Sequence, residues 1–461
     1  MTQTENSDSR TDADEVVDRA LVREVSAALQ ADDPAAVHGL VDELHVADLA
    51  DLIDILPRDR RAQLIDLLGD QLDPTVLPEL EYEVLTDVLE QLTPGRIAAA
   101  VSALDTDDAI VVLEYLDEER HDQVLAVLPP PDRAAVEAAL AFPEESAARL
   151  MQREFIAVPA FWTVGQVIDY CRETTDLPDD FYEIFVVDPR FRPLGQVPLN
   201  RLLRQMRPVI VRDIVETEVR PIPLDLDQEE VAFQFQQYRL TSAPVVDQAG
   251  RMIGVITFDD ITDVVEEEAE EDLMRLSGLG GGETDLYANT LRTTRTRFVW
   301  LAMNLCTAIL ASFVIAAFDA TIEQLVALAV LMPIVASMGG NAGTQTVTVA
   351  VRALATHELT TANAVRFFIK EVAVGGLNGV MFAVLMAAIC FVWFQDVGLA
   401  AVIGAAMVVN LLVAGLAGTL IPLTLERFNI DPAVSAAVFL TTVTDVIGFF
   451  AFLGLAALFL L

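Results

Sequence analysis

The chain has 461 residues, too many for one compact domain, and carries 70 acidic against 29 basic residues, a formal net charge of −41. The charge is one-sided: the part before Leu291 holds 62 acidic and 22 basic residues, net −40, and the remainder is almost uncharged. Such a front part excludes nucleic acid as a partner, because binding it requires neutralising phosphates, and it attracts cations instead.

Lys370 is the single lysine; arginine carries the other basic charges. This bias points to a high-salt, archaeal source, where screening weakens the self-repulsion of so acidic a fold. Cys171, Cys306 and Cys390 lie far apart and form neither a disulfide framework nor a metal motif. The N-terminus is polar and acidic with no apolar core, so no signal peptide is expected and the front part is placed in the cytoplasm.

In chain order, residues 1–14 read as a disordered acidic tail. Residues 15–150 predict short amphipathic helices broken by Pro or by Asp and Arg. ILPRDRRAQLIDLL, QLTPGRIAAAVSAL, YLDEERHDQVLAVL and VLPPPDRAAVEAAL echo one another: an aliphatic residue, a turn with an Arg, then a helical pattern. Their Leu56, Leu92, Leu116 and Leu128 are spaced by multiples of a dozen, which predicts a small all-α helical solenoid. It holds no nucleophile constellation, so no enzyme is expected there.

Residues 151–212 and 213–264 change to mixed strands and helices. The clearer copy is the second, with strands predicted at 243–246 and 252–257 around an Asp-Gln-Ala-Gly turn. Residues 265–290 follow as an acidic linker helix ending in glycines. Residues 291–461 contain five apolar stretches, 298–318, 325–353, 372–394, 397–425 and 433–461, each near the ~20 residues that cross a bilayer as helix. With the front part inside, Arg292, Arg295, Arg297, Arg352, Arg366, Lys370 and Arg427 all fall on the inner side, as the positive-inside rule asks, and the C-terminus lies outside.

Asp445 stands inside the fifth stretch, where an ionisable group costs several kcal/mol unless paired, hydrated or facing a water-filled path. With Thr441, Thr442 and Thr444 nearby it suits a hard cation; Mg2+, which keeps most of its waters, could be held through one or two carboxylates without a full protein cage. In the second stretch Pro333 and repeated glycines weaken the helix beside Asn341, Thr344 and Gln345, which predicts a broken span lining protein or water. Glu371, Asn378 and Asn410 complete the polar set. The plainer reading of the Asn and Gly residues, Gly375 and Gly379 included, is interhelical hydrogen bonding and close packing.

The α/β copies resemble paired cystathionine-β-synthase (CBS) domains. That family's GxxTxxD pattern, which holds the ribose and phosphate of adenine nucleotides, is matched by Gly254, Thr257 and Asp260. The first copy has Pro198 and Arg201 where Thr and Asp would stand. A strand end and a helix cap are the plainer account of Thr257 and Asp260.

The order of helical repeat, CBS pair, acidic helix and five spans, together with GGNAGTQ, KEVAVGG, DPA and TDVIG, resembles the MgtE family of magnesium channels over nearly the whole chain. The resemblance implies a homodimer in the cell membrane whose pore, on the two-fold axis, is lined by the second and fifth spans. Asp445 is then the main ion-binding carboxylate, Gly339, Gly340, Asn341, Thr344 and Thr441 line the path, and Glu371 matches an acidic position near the cytoplasmic mouth. Thr344 departs from the Asn of many members.

The resemblance also implies that cytoplasmic Mg2+ bridges carboxylates of the helical domain, CBS pair and linker (plug) helix and holds the pore closed. Asp107, Asp108, Asp259, Asp260, Asp263, Glu267, Glu268, Glu270 and Glu271 are the candidates here. The implied function is passive, Mg2+-gated uptake of Mg2+, with Mn2+ and Co2+ as further cargo and ATP as a ligand of the CBS pair. The other reading is a membrane-tethered CBS sensor of cation or nucleotide without transport. An intramembrane enzyme is disfavoured, because none of the four His residues lies within a span.

Overall fold

The computed structural model describes residues 17–174, 177–178, 181–279, 290–428 and 430–461. The tail expected at 1–14 and the glycine-rich end of the linker, 280–289, lie outside these. The chain divides into two compact units, Met1–Glu266 and Glu267–Leu461.

The first unit opens with helices α1 (Arg19–Gln30), α2 (Pro34–Val41), α3 (Val46–Ile55), α4 (Arg58–Leu68), α5 (Tyr82–Gln91), α6 (Pro94–Val101), α7 (Thr106–Glu114), α8 (Glu118–Val127) and α9 (Pro130–Leu140). Their apolar faces share one core containing Leu52, Ile53, Leu64, Ile65, Leu85 and Leu89. The sequence echo has a structural cause. Leu56, Leu92 and Leu128 are the buried residues that end α3, α5 and α8, and Pro57, Thr93 and Pro129 then start the next helix.

Three arginines of the echo, Arg61, Arg120 and Arg133, satisfy carbonyls that a helix end leaves without intrahelical donors. Arg61 donates from Nε to the Ile53 carbonyl at 3.0 Å and from Nη2 to those of Asp54 and Leu56 at 3.2 Å. Arg120 donates to the carbonyls of Leu89, Glu90 and Leu92. Arg133 does the same for Ala126 and Leu128. A cation at a helix C-terminus also suits the helix dipole.

After α10 (Ala147–Leu150) come two copies of one topology. The first has β1 (Ala157–Pro159), α11 (Val164–Glu173), β2 (Glu183–Val187), β3 (Pro193–Pro198) and α12 (Leu199–Leu203). The second has β4 (Ile222–Pro223), α13 (Gln228–Tyr238), β5 (Ser242–Val246), β6 (Met252–Thr257) and α14 (Phe258–Leu276). In each copy the first strand pairs parallel with the second and the second antiparallel with the third. The hairpin turns match as well: Asp188 accepts the backbone N–H groups of Arg190 and Arg192, and Asp247 those of Ala249 and Arg251. These backbone donors, foremost Arg192 and Arg251, hold both carboxyls below the usual range. The helix expected to begin at 265 is the continuation of α14, which starts at Phe258.

The second unit contains α15 (Thr290–Ala317), α16 (Asp319–Gln324), α17 (Ala327–Ala355), α18 (Ala364–Phe394), α19 (Val397–Arg427) and α20 (Pro432–Phe459). Five of these are long and apolar enough to cross a membrane: α15, α17, α18, α19 and α20. The central one is α19, which buries Ala406, Met407, Asn410, Leu411, Ala414, Gly415 and Gly418 among others. Small residues let the neighbours approach: a Cβ on Gly375 of α18 would lie 2.6 Å from the Leu411 carbonyl oxygen. The third span starts at Ala364, earlier than the 372 expected, so Arg366 and Lys370 sit in its first turns. Long basic side chains at a helix end reach toward the interface, which makes this extension compatible with a membrane.

The broken second span is not found: α17 is one continuous helix from Ala327 to Ala355. Pro333 removes a single donor from the ladder, and Gly339 and Gly343 serve packing. Gly339 is filled from outside by the Asn410 side chain, and Gly343 by that of Leu440.

Candidate functional site

Two polar regions stand out, one in each unit. In the second unit α17 carries a stripe of Ser337, Asn341, Thr344 and Thr348 at helical spacing, all exposed. Local bonds hold the stripe in shape. Asn341 Nδ2 donates to Ser337 Oγ at 3.5 Å, Thr344 to the Gly340 carbonyl at 3.0 Å and Thr348 to the Thr344 carbonyl at 2.9 Å. Gly340, half-buried, has nothing within 4 Å of where a Cβ would stand, so it leaves the surface there open. Gly339 is turned inward against Asn410.

Asp445 lies half-buried in the middle of α20, with Thr441 exposed one turn before it and Thr444 buried beside it. Thr444 is engaged with the carbonyls of Leu440 and Thr441, both 3.1 Å away. The start of α20 is fixed by Asp431, which accepts the Ala433 N–H at 2.7 Å and also pairs with Arg275 near the end of α14. Arg275 pairs with Glu271 too, and Leu276 packs on the cluster of Val347, Val351, Ala433 and Leu440. Burial, and then repulsion from Asp431, pushes the neighbouring Asp272 carboxyl up.

Glu371 is buried in α18. Its carboxylate accepts a long 3.5 Å bond from Thr346 of α17 and lies 3.2 Å from Lys370 Nζ. Asn410 of α19 is fully buried, donates from Nδ2 to the Val335 carbonyl of α17 at 2.7 Å, and has no protein partner for Oδ1 among the described residues. A buried acceptor left unpaired costs about 1–3 kcal/mol, whereas an interhelical hydrogen bond in a membrane protein returns about 0.6 kcal/mol.

In the first unit, residues distant in sequence gather their carboxyls. Asp107 and Asp108 of α7 meet Asp260 and Asp263 of α14, with Asp105 and Glu79 adjoining. Burial, with mutual repulsion second, pushes Asp107 well up and Asp108 to about 7. Asp260 is pushed to about 6, mainly by burial, against the stabilising bond from Thr257. Burial followed by repulsion from Glu266 and Asp259 raises Asp263. Glu154 adjoins through the Thr106 hydroxyl, which donates to it at 3.2 Å. Among the described residues no three His, Cys, Asp or Glu side chains converge closely enough to hold a metal ion. The side chains gathered there are all hard-oxygen donors, the class that Mg2+ or Ca2+ takes and soft metals do not.

Of the sequence candidates, Asp107, Asp108, Asp260 and Asp263 are thus brought together with Asp259 alongside, while Glu267, Glu268, Glu270 and Glu271 follow along α14. Glu79 and Asp105 were missed. Nothing in an acid-rich chain distinguishes them except their place in the fold.

Thr257 ends β6 and donates its hydroxyl to Asp260 at 2.7 Å, while Asp260 also accepts the Thr257 N–H at 3.2 Å. That is the cap geometry, and Gln152 donates to the same hydroxyl at 3.3 Å. In the first copy Pro198 precedes α12 and Arg201 pairs with Glu216, so neither a hydroxyl nor a carboxylate stands at the equivalent place.

Comparison with known proteins decides the family. Residues 332–455 match the MgtE model, described as a divalent cation transporter, residues 44–145 the MgtE intracellular N domain, and residues 211–267 a CBS domain. The "Magnesium transporter MgtE" of Thermus thermophilus is 32% identical over 94% of this chain and 97% of its own length. This chain belongs to the MgtE family. The Bacillus subtilis protein of the same name is 28% identical over 91% of this chain and 93% of its own. The crystal structure of the cytosolic domain of the Mg2+ channel MgtE in complex with ATP is 32% identical, with a TM-score of 0.50, and covers 53% of this chain and 99% of that one. The CBS match falls on the second copy, and the shared strand order makes the first its partner in an MgtE-type CBS pair. Five apolar helices in an MgtE chain make this a multi-pass membrane protein.

Proposed function

We propose that the chain is a passive, Mg2+-gated channel for Mg2+ uptake, working as a homodimer with α17 and α20 of each copy lining a central path. The observation that carries this is Asp445, a carboxylate halfway along an apolar helix, in the same unit as an exposed polar stripe on α17. A stripe of Ser, Asn and Thr gains nothing from facing lipid tails and is accounted for by a water-filled path. Two copies of Asp445 would present two charges to one hydrated cation, while Asn341, Thr344, Thr441 and the surface left open by Gly340 meet its bound waters. Glu371 lies near the inner mouth.

The relatives named as magnesium transporters support Mg2+ as cargo and a transporter rather than an enzyme. The basic residues near the span ends all fall on one side, which supports placing the N-terminus and front part in the cytoplasm and the C-terminus outside.

The gate is read by the first unit. Asp107, Asp108, Asp259, Asp260 and Asp263, with Glu267, Glu268, Glu270 and Glu271 further along α14, form the negative field that cytoplasmic Mg2+ neutralises, and Arg275 links the end of α14 to the start of α20. ATP is the proposed ligand of the second CBS copy at Thr257 and Asp260. In this reading purified protein in liposomes passes Mg2+ down its gradient, with Mn2+ and Co2+ competing, and the flux falls as Mg2+ is raised on the cytoplasmic side. A protein that passes no divalent ion under any condition is instead the membrane-tethered sensor.

A further inference from the structure

We infer that Asn410 is the positioning residue that fixes α17 and α20 in the register the conduit needs, and that its amide thereby sets discrimination between cations. The inference rests on the pore reading above. Asn410 lies in the middle of α19 with no exposed surface. Its Nδ2 donates to one carbonyl of α17, that of Val335, at 2.7 Å. Both helices that meet the amide do so with glycine. A Cβ on Gly339 would overlap the amide, and one on Gly448 of α20 would stand 2.9 Å from Nδ2 and 3.1 Å from Oδ1. The side chain is therefore a peg seated in two notches, one on each helix assigned to the path.

The notches lie close to the residues that matter. Gly339 is two positions from Asn341, and Gly448 is one helical turn beyond Asp445. An aliphatic side chain could fill the same space, but it would tolerate a slide along the helix. A directional bond to one carbonyl does not, because a register shift of one residue also turns the helix by about 100° and carries that acceptor away from the amide. The unpaired Oδ1 argues the same way, since the fold retains a polar group whose bonding it does not complete. Single buried polar groups are known to specify register at a cost in stability. Register matters most for Mg2+, whose near-ideal octahedron of waters tolerates displaced second-shell oxygens less well than larger cations do.

The test uses the full-length protein in liposomes with Mg2+ and Mn2+ as the probe ions. Asn410→Leu is expected to fold with an unchanged melting temperature and to lower the Mg2+ to Mn2+ flux ratio by about tenfold, the lower end of outer-shell effects at metal sites. The double variant Gly339→Ala/Asn410→Ala refills the notch without the amide and should show the same low ratio, which keeps the test open if Asn410→Leu does not fold. A wild-type ratio in either folded variant, with Asp445→Asn abolishing flux in parallel, overturns the role of Asn410 and leaves the pore reading intact. Unchanged flux in Asp445→Asn overturns the pore reading and this inference with it.

Discussion

The two units of this chain use carboxylates in opposite ways. In the first, Asp107, Asp108, Asp260 and Asp263 are gathered by the fold with no basic side chain among the main influences on Asp107, Asp108 or Asp263. In the second, Asp445 stands at mid-span as the single charged residue of its helix. In the proposed function the crowd of carboxyls is the sensor, because its members destabilise one another, and the solitary one in the span is the ligand, because it brings its own desolvation cost and no structural gain.

The contrast is broken most strongly by removing the crowd's charge. Asp107→Asn/Asp108→Asn/Asp260→Asn should abolish the protection from protease that Mg2+ gives the first unit at constant ionic strength, and should raise its melting temperature without Mg2+ by several degrees, about 4–8 °C for each kcal/mol in a small domain and less in this larger unit. Persistent Mg2+ protection in that variant would place the sensor elsewhere.

A second, smaller effect comes with pH. Folded Asp108 and Asp260 titrate near 7 and 6, above the ordinary range of about 4, so the folded state holds more protons than the unfolded one. Stability is then fully present below about pH 4 and declines as pH rises toward 7. Melting curves of the wild type should show the first unit gaining stability from pH 8 to pH 5, with added Mg2+ helping at pH 8 and hardly at all at pH 5.

Arg275→Ala tests the tie between the end of α14 and the start of α20, within the second unit. It removes the pairs with Glu271 and Asp431, and flux at high cytoplasmic Mg2+ should rise a few-fold; the energy at stake for half-exposed pairs is about 1 kcal/mol. Smaller still is Asp54, which burial pushes to about 7 and which accepts the Glu81 N–H at 3.3 Å. Asp54→Asn should raise the melting temperature by a degree or two at pH 8 and leave it unchanged at pH 4, where the native carboxyl is already neutral.

The legible parts of the fold were those written in local pattern. Five apolar lengths, the two strand hairpins and the repeated leucines each recur at a spacing that one element can impose. Some helix ends are marked as well: Arg61 and Arg120 of the echo stand where carbonyls need a donor. What lay hidden depends on contacts between distant elements. Pro333 and the glycines of GGNAGTQ read as a break because their packing partners, Asn410 and Leu440, are about 70 to 100 positions away in the chain. Asn410 itself read as one more polar residue in a span. Glu79 joins the acid cluster only through the fold.

The most direct test of the central claim is Mg2+ influx into liposomes carrying Asp445→Asn, with melting temperature measured alongside. The account predicts a folded protein whose influx falls about a hundredfold or more, to the level of empty vesicles. Influx within twofold of wild type would contradict it.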